Sequence, residues 1–333
     1  MSQGKDDVMR TTMRALVKYA HGPGNLELQD IPIPEIGDDD ILVKISYGGI
    51  CGSDLHIETG IHPCEPPVVI CHEFSGVVAK AGRNVTKFRE GDPAAFWKGW
   101  SPYPGVGANG GFAEYLRAPA HCMWKTPEGI SQEEATQFET VMTPMALVRD
   151  VARMRSGERV VVSGPGQIGL LVANIARIDG ASHITMLGGP GDEVLRLPKA
   201  LEMGTDEAVL LGEEALAKLK DNPPSVWFEA SGAATAIESA VEHVAPGGRV
   251  VLSGLGEGPW NVNMRRVAYR SIKILGKWGG NQAYLQESVD LMRSGKLKMS
   301  ATITDVMPLT RWRQAFEKAR RKEGVKILLD PSG

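Results

Sequence analysis

The feature that most constrains the fold is a glycine-rich turn between an apolar strand and an apolar helix. The strand is predicted at 159–163 and the helix at 168–179. A GxGxxG turn in this context is typical of dinucleotide binding, because its glycines allow a tight turn, close backbone approach to a pyrophosphate and close helix packing. The helix N-terminus adds N–H donors and partial positive charge. The predicted cofactor-binding residues of the turn are Gly164, Gly166, Gln167, Ile168 and Gly169.

Strands and helices alternate along the chain after this turn. Further strands are predicted at 183–187, 226–229 and 249–253, and further helices at 194–203 and 235–244. Such alternation implies right-handed crossovers and a parallel, doubly wound α/β sheet of the Rossmann type.

The part of the chain before the turn has a different pattern. Short alternating segments, such as 42–45 and 75–79, are cut by glycine, proline and aspartate, which predicts β-rich structure. Residues 1 to about 12 are polar and are expected to be disordered. A capping box at 131–134 predicts the start of a helix, and helical periodicity continues over 135–154.

These patterns predict two domains, of which the nucleotide-binding one is inserted into the other. The predicted bounds are 1–140 for a β-rich catalytic domain, 141–280 for the nucleotide-binding domain and 281–333 for the return to the first domain, since a strand at 325–329 could rejoin the first sheet. A chain of 333 residues is long enough to build two cores.

The charge balance argues against a nucleic-acid partner. The 37 Lys and Arg residues are balanced by 40 Asp and Glu residues, for a formal net charge of −3, whereas nucleic-acid binders usually carry a basic excess. No secretory leader and no apolar run of about 20 residues is recognisable, so we expect no membrane insertion and a cytoplasmic location. In that compartment the four cysteines are expected to be reduced.

A second group of residues combines the side chains that zinc prefers. Cys51, Asp54 and His56 stand in one short segment, and His72 and Glu73 are adjacent in a later one. Thiolate, imidazole and carboxylate are zinc ligands, and a catalytic site uses them while keeping one position for substrate or water. Each residue alone would be read as core packing or a structural hydrogen bond, but together they indicate a catalytic metal site.

The order of the motifs resembles that of the zinc-containing medium-chain dehydrogenases, most of all their polyol, threonine and butanediol dehydrogenase branch. The resemblance implies a GroES-like catalytic domain, a nicotinamide cofactor (NAD or NADP), one catalytic zinc per chain and a homodimer or homotetramer. It rests on Cys-Gly-Ser-Asp-x-His at 51–56, His-Glu-x-x-Gly at 72–76, Gly-Asp at 91–92, Gly-Gly-Phe-Ala-Glu-Tyr at 110–115 and the glycine-rich turn.

The resemblance also implies roles for single residues. The zinc ligands or their near neighbours would be Cys51, His72, Glu73 and Glu139. Thr143, four residues after Glu139, would lie near the nicotinamide. Asp54 would orient His72, and Ser53 would take the substrate hydroxyl proton and pass it through the cofactor ribose to His56.

Two departures from the family pattern change the expectations. Cys71 stands where the family has glycine before His-Glu, and we interpret it as a packed thiol rather than an extra ligand. The family's lobe of four closely spaced cysteines is replaced by 93–109, which contains no cysteine. A structural zinc is therefore excluded on ligand count.

The ribose end of the cofactor site leaves the choice between NAD and NADP open. NAD-binding sites carry an acidic residue at the end of the second strand, but that position here is Gly188. Arg196 and Lys199 are candidates for contacting a 2′-phosphate, while Asp192 could instead accept a hydrogen bond from the ribose.

The predicted function is the oxidation of a secondary alcohol, for which zinc stabilises negative charge on oxygen and the nicotinamide takes the hydride. The aromatic segment 96–103 either stacks on a sugar-like substrate or covers the core. The resemblance implies that the substrate is a polyol, a sugar-like alcohol or a hydroxy-amino-acid-like alcohol. Two alternatives remain, a zinc-free quinone-reductase-like enzyme that uses NADPH and a non-catalytic nucleotide-binding protein.

Overall fold

The computed structural model describes residues 11–256 and 258–333, which form two units. The first unit contains residues up to Glu139, Asp305–Arg320 and Lys326–Gly333, and the second contains Thr140–Thr304 and Arg321–Val325. The predicted disordered start lies outside the described residues except for Thr11 and Thr12, and Thr12 already begins a strand.

The first unit is rich in strands, as expected. Its strands before the second unit are β1 Thr12–Lys18, β2 Leu26–Pro32, β3 Asp40–Gly49, β4 Val68–Val69, β5 Phe74–Ala81, β6 Pro93–Phe96, β7 Tyr115–Pro119 and β8 Met123–Lys125. Its helices there are α1 Gly52–Thr59, α2 Gln132–Ala135 and the first residues of α3 Phe138–Ala146, with a 3-10 turn at Ala120–Cys122. The capping box is confirmed, since the Ser131 hydroxyl accepts from the Glu134 N–H and the Glu134 carboxylate accepts from the Ser131 N–H, both at 3.2 Å.

The second unit is the predicted doubly wound fold. Its strands are β9 Arg159–Ser163, β10 His183–Gly188, β11 Glu207–Leu210, β12 Val226–Glu229, β13 Arg249–Leu252 and β14 Lys273–Gly276. Its helical segments after α3 are the π-helix Leu147–Val151, α4 Gln167–Ile178, α5 Arg196–Glu202, α6 Glu213–Asp221, α7 Ala234–His243, α8 Met264–Tyr269, the 3-10 turn Gln282–Tyr284, α9 Leu285–Arg293 and α10 Met299–Thr302. All strands pair in parallel in the order β11-β10-β9-β12-β13-β14, the arrangement of dinucleotide-binding sheets.

The chain ends with elements that include the last two strands of a seven-stranded sheet, which is separate from the three-stranded sheet β2-β1-β4. These are β15 Ile303–Pro308, the 3-10 turn Leu309–Arg311, α11 Trp312–Arg320 and β16 Lys326–Asp330. The sheet has the order β15-β16-β3-β5-β6-β8, with β7 paired to β3. β16 is antiparallel to β3, with Leu328 opposite Gly49, so the predicted return of the last strand to the first sheet is found.

The return of the chain comes later than the sequence predicted. Residues 281–304 belong to the second unit, and the return begins at Asp305. Buried side chains and hydrogen bonds hold this segment: Asn281 and Tyr284 donate to the Asp150 carboxylate at 2.8 and 2.6 Å, and the Lys298 N–H donates to the Asn174 side chain at 2.9 Å. Among the described helices, none is long and apolar enough to cross a bilayer.

Candidate active site

Helix α1 places Cys51 at the start of the candidate site. Cys51 is the N-cap residue, and the fully buried Asp54 accepts a hydrogen bond from the Cys51 N–H at 2.8 Å. This contact fixes the backbone that carries the sulfur. The positive end of the helix dipole also favours a negative charge at this position.

Three of the predicted zinc residues converge. One ligand atom of each of Cys51, His72 and Glu73 lies within 4.8 Å of the others. His72 and Glu73 come from the turn before β5, and both are buried. A sulfur, an imidazole nitrogen and a carboxylate oxygen at these separations form a donor set that suits zinc.

The electrostatics of His72 also suit a cation. Burial lowers the pKa of His72, but its hydrogen bond to the Cys51 side chain and the negative charges of Cys51, Asp54 and Glu139 outweigh burial and raise the pKa to about 10. Its Nδ1 is buried without a hydrogen-bond partner among the described residues. The charges that attract a proton to the ring attract a metal ion as well, so the site fits the predicted zinc.

Asp54, which was expected to orient His72, forms no hydrogen bond with it among the described residues. Asp54 Oδ1 is buried without a partner in the described part of the chain, and Oδ2 is bonded to Cys51 instead. Burial raises the pKa of Asp54, and the charge of His72 offsets part of that shift. Asp54 therefore acts on His72 through charge, and on Cys51 through a direct contact.

Glu73 has a partner that the sequence analysis missed. The Lys326 ammonium, on β16, donates to both carboxylate oxygens of Glu73 and to the Ile50 carbonyl, each at 2.8 Å, and both side chains are 1% exposed. Burial lowers the pKa of Lys326, but the charges of Glu73 and Cys51 outweigh burial and raise it. A lysine inside an otherwise apolar strand was the available signal, because a buried ammonium requires a buried acid.

Glu139, on α3, is held by a residue that sequence reasoning had not singled out. The Tyr103 hydroxyl donates to Glu139 Oε1 at 2.9 Å, and the Tyr103 ring lies 5.5 Å from the His72 ring. Burial raises the pKa of Glu139, and the charge of His72 offsets part of the shift. Thr143, also predicted as a site residue, is half-buried on α3 in the second unit.

Cys71 has the surroundings of a packed thiol. It is fully buried, and its sulfur donates to the Glu73 carbonyl at 3.1 Å. Burial raises the pKa of Cys71 well above its usual range, which disfavours the thiolate that a metal requires. Its φ of 90° explains why glycine is the residue expected there.

Ser53 and His56 lie three residues apart on α1, one helical turn from each other. The Ser53 hydroxyl is buried and has no hydrogen-bond partner in the described residues, so the two side chains are not joined directly. A buried hydroxyl without a partner is costly unless a ligand completes its hydrogen bonds.

The aromatic residues of the segment 96–103, which were expected either to stack on a substrate or to cover the core, have different surroundings. Phe96 stacks on Phe74 at 5.3 Å, and Trp100 contacts both rings edge-on, so these residues cover the core. Trp97 meets Trp124 at 5.1 Å under the Lys98 ammonium. Tyr103, the last aromatic residue of the segment, contacts the predicted metal residues His72 and Glu139.

The glycine-rich turn has the geometry expected of a pyrophosphate cradle. Gly164 has φ of 97°, and a Cβ on Gly169 would lie 1.9 Å from the Gly164 carbonyl oxygen, so neither position accepts a side chain. A Cβ on Gly166 would meet nothing within 4 Å. Gly166 is the N-cap of α4, with Gln167 and Ile168 as its first helical residues, so open space lies at the positive end of that helix.

At the ribose end, two of the candidate residues, Arg196 and Asp192, pair with each other. Arg196 donates to the Gly324 carbonyl at 3.0 and 2.7 Å and pairs with Asp192 at 3.6 Å. Asp192 is buried, and Lys322 reaches its carboxylate at 3.3 Å. A Cβ on Gly188 would lie 3.1 Å from the Asp192 Cβ, so Asp192 and its cations occupy the space beside the strand end.

Comparison with known proteins places these features in a family. A family model described as the alcohol dehydrogenase GroES-like domain matches residues 37–128, and one described as zinc-binding dehydrogenase matches residues 168–294. The chain is 29% identical to a sorbitol dehydrogenase of Halalkalibacterium halodurans, with 96% of this chain and 99% of that protein covered. It is 32% identical to an L-threonine 3-dehydrogenase of Saccharopolyspora erythraea, with 96% and 99% covered.

A solved structure gives the same result for the fold. The crystal structure of 2R,3R-butanediol dehydrogenase from Bacillus subtilis matches with a TM-score of 0.86 and 24% sequence identity, covering 96% of this chain and 99% of that one. The predicted combination of a GroES-like and a Rossmann-type domain is confirmed.

Proposed function

The chain belongs to the zinc-type medium-chain dehydrogenase/reductase family, and on that premise we propose that it oxidises a secondary alcohol to a ketone with one zinc ion and a nicotinamide dinucleotide. The observation that carries the proposal is the convergence of Cys51, His72 and Glu73 within 4.8 Å. The names of the relatives, which act on sorbitol and threonine, favour a polyol, sugar-like or hydroxy-amino-acid-like alcohol.

Cys51, His72 and Glu139 would hold the zinc, and Glu73 would stand beside it. Both oxygens of Glu73 are already bonded to the buried Lys326 ammonium, whereas Glu139 is held by one neutral hydroxyl at one oxygen. Binding a metal would therefore cost Glu139 fewer existing interactions than Glu73, which would have to leave its ion pair with Lys326. Glu73 would remain near enough to replace Glu139 as a ligand. Zinc in this place supplies a Lewis acid that stabilises negative charge on the alcohol oxygen.

Ser53 would accept the hydrogen bond of the substrate hydroxyl. Its buried oxygen finds no partner among the described residues, so a substrate hydroxyl would satisfy it. His56, one turn further along α1 and half-buried, would carry the proton toward solvent. An imidazole suits that task because its ordinary pKa lies near neutral pH.

The turn at 164–169 would hold the dinucleotide. Backbone N–H groups at the start of α4 suit a pyrophosphate, and the bound nicotinamide would supply the hydride acceptor. At the ribose end, the carboxylate of Asp192 is balanced by Arg196 and Lys322, so the proposal includes both NAD and NADP.

The zinc-free alternative gives no role to the metal-binding donor set of Cys51, His72 and Glu73. A quinone-reductase-like reaction requires neither the Cys51 sulfur nor the His72 imidazole, yet the buried His72 is hydrogen-bonded to the Cys51 side chain. A non-catalytic nucleotide-binding protein would likewise have no use for the buried Ser53 hydroxyl.

The test is metal analysis combined with turnover. Purified protein, dialysed against metal-free buffer, should retain about one zinc per chain. It should reduce NAD or NADP with a secondary alcohol or polyol from a broad panel, and a chelator should stop the reaction. Absence of zinc together with quinone reduction would favour the zinc-free alternative, and zinc without turnover on the whole panel would favour the non-catalytic one.

A further inference from the structure

The segment between β6 and β7 holds Tyr103 firmly. The Tyr103 carbonyl accepts hydrogen bonds from the N–H groups of Val106, Gly107 and Ala108 at 3.2, 2.9 and 3.2 Å. The Val106 carbonyl in turn accepts from the Glu65 N–H at 2.8 Å. This network of hydrogen bonds fixes the backbone position from which the Tyr103 side chain extends.

The same segment lies directly against the residues that precede His72. A Cβ on Gly105 would come within 2.8 Å of the Cys71 backbone, and the Asn109 side chain accepts from the Val69 N–H at 3.0 Å. Gly110 donates to the Val69 carbonyl at 2.7 Å. The segment that replaces the missing cysteine-rich lobe is therefore packed against the candidate metal centre rather than projecting away from it.

Tyr103 contacts two predicted metal residues at once. Its hydroxyl donates to Glu139 Oε1 at 2.9 Å, its ring lies 5.5 Å from the His72 ring, and the ring also meets Phe96 edge-on at 6.0 Å. The aromatic contacts fix the ring, and the hydrogen bond then fixes one carboxylate oxygen of Glu139. Groups that hydrogen-bond to metal ligands orient them and change metal affinity.

We propose that Tyr103 is a positioning residue for the metal centre, holding Glu139 by one carboxylate oxygen so that the acid meets the metal in a single orientation. This role rests on the proposed function, because it presumes that Glu139 is a ligand. On this proposal the segment 93–109, which stands where the family has its structural-zinc lobe, serves to position a metal ligand.

Tyr103→Phe tests the proposal, because it removes the hydroxyl and keeps the ring. Zinc affinity is measured on the full chain by competition with a chromophoric chelator, which needs no turnover. Removing such a supporting hydrogen bond typically costs 10- to 100-fold in affinity, so we expect a loss of about tenfold. Tyr284→Phe is the matched control, since Tyr284 donates to the Asp150 carboxylate in the second unit, and its zinc affinity should equal that of the wild type.

A double-variant comparison shows whether Tyr103 acts through Glu139. In a Glu139→Ala background, Tyr103→Phe should cause no further loss of zinc affinity, because the group that Tyr103 positions is gone. Losses that add in the double variant, or a Tyr103→Phe affinity within twofold of the wild type, would overturn the role of Tyr103. A wild-type chain that binds no zinc would instead overturn the proposed function itself, so the two failures are distinguishable.

Discussion

The candidate metal centre and the glycine-rich turn are built by opposite means. The turn uses one continuous segment, 164–169, and its fit comes from backbone geometry and from the absence of side chains at Gly164, Gly166 and Gly169. The candidate metal centre draws on Cys51, His72 and Glu73, with Lys326 bonded to Glu73, and these residues come from three separate parts of the chain.

This contrast determines how each region should fail. A backbone cradle loses function when a side chain enters it, while the chain still folds. A cluster of buried charges loses function when one member is removed, and it can also lose stability, because an unpaired buried charge costs several kcal/mol. The predictions below separate these two kinds of failure.

The largest effect is expected for His72→Ala, which removes a proposed ligand of the candidate metal centre. A Lewis acid contributes several kcal/mol to such a reaction, and about 1.4 kcal/mol is a factor of ten, so kcat/KM should fall by at least ~10³-fold. Zinc content should fall with it, whereas the dissociation constant for the dinucleotide, measured by fluorescence titration, should change by less than about twofold.

His121→Ala is the matched control for that prediction, since His121 is exposed and lies outside the candidate site. It should keep zinc content and turnover. A His72→Ala protein that retained zinc and activity would remove the metal centre from the account, and one that lost dinucleotide binding as well would mean that the two regions are not independent.

The next largest effect is on stability, for Lys326→Met. The substitution leaves the Glu73 carboxylate buried without its cation, which should cost about 3–5 kcal/mol. Adding Glu73→Gln removes the uncompensated charge and should restore much of the loss. The measurement is the urea-unfolding midpoint, with the exposed Lys296→Met as control. If the single and double variants are equally stable, the buried ion pair does not support the fold.

A smaller and purely functional effect is expected for Gly166→Ala in the turn. Its Cβ meets no atom of the chain within 4 Å, and alanine is a poorer N-cap than glycine but loses less backbone freedom on folding, so the free energy of unfolding should change by less than about 1 kcal/mol. The methyl group would occupy the space of the pyrophosphate, and the dinucleotide dissociation constant should rise at least ~10-fold.

Gly212→Ala provides the comparison for the turn. Gly212 is also a helix N-cap with open space at its Cβ position, on α6. It should leave dinucleotide affinity unchanged. Equal affinities for the wild type, Gly166→Ala and Gly212→Ala would mean that the phosphates do not bind at 164–169.

The same contrast explains what the sequence could predict. The turn and the strands β9 and β12 were predicted with correct bounds because local patterns define them. Strand β11, with no buried residue, was missed, since an edge strand needs no apolar repeat. The return of the chain was placed too early because side-chain contacts such as that of Tyr284 with Asp150, rather than a sequence pattern, keep 281–304 in the second unit.

The candidate site was predictable only as far as its motifs extend. Motif resemblance supplied Cys51, His72 and Glu73, which the structure brings together. It did not supply Lys326 or Tyr103, because each meets its partner through tertiary packing and neither lies in a recognisable motif. The family motifs therefore predict the candidate ligands, and the structure adds residues that contact them.

The smallest effect concerns Cys71, which lies beside the metal centre but has the backbone conformation of a turn glycine. A non-glycine residue with φ of 90° carries strain on the order of 1 kcal/mol or more. Both Cys71→Gly and Cys71→Ala lose the buried thiol, but only glycine adopts this φ without strain. The glycine variant should therefore have the higher free energy of unfolding in urea, by ~1 kcal/mol. Both should keep one zinc per chain, because the thiol bonds to the Glu73 carbonyl and is held protonated by burial. A loss of zinc in both variants would instead identify Cys71 as a ligand and add a residue to the metal centre that no motif of the family contains.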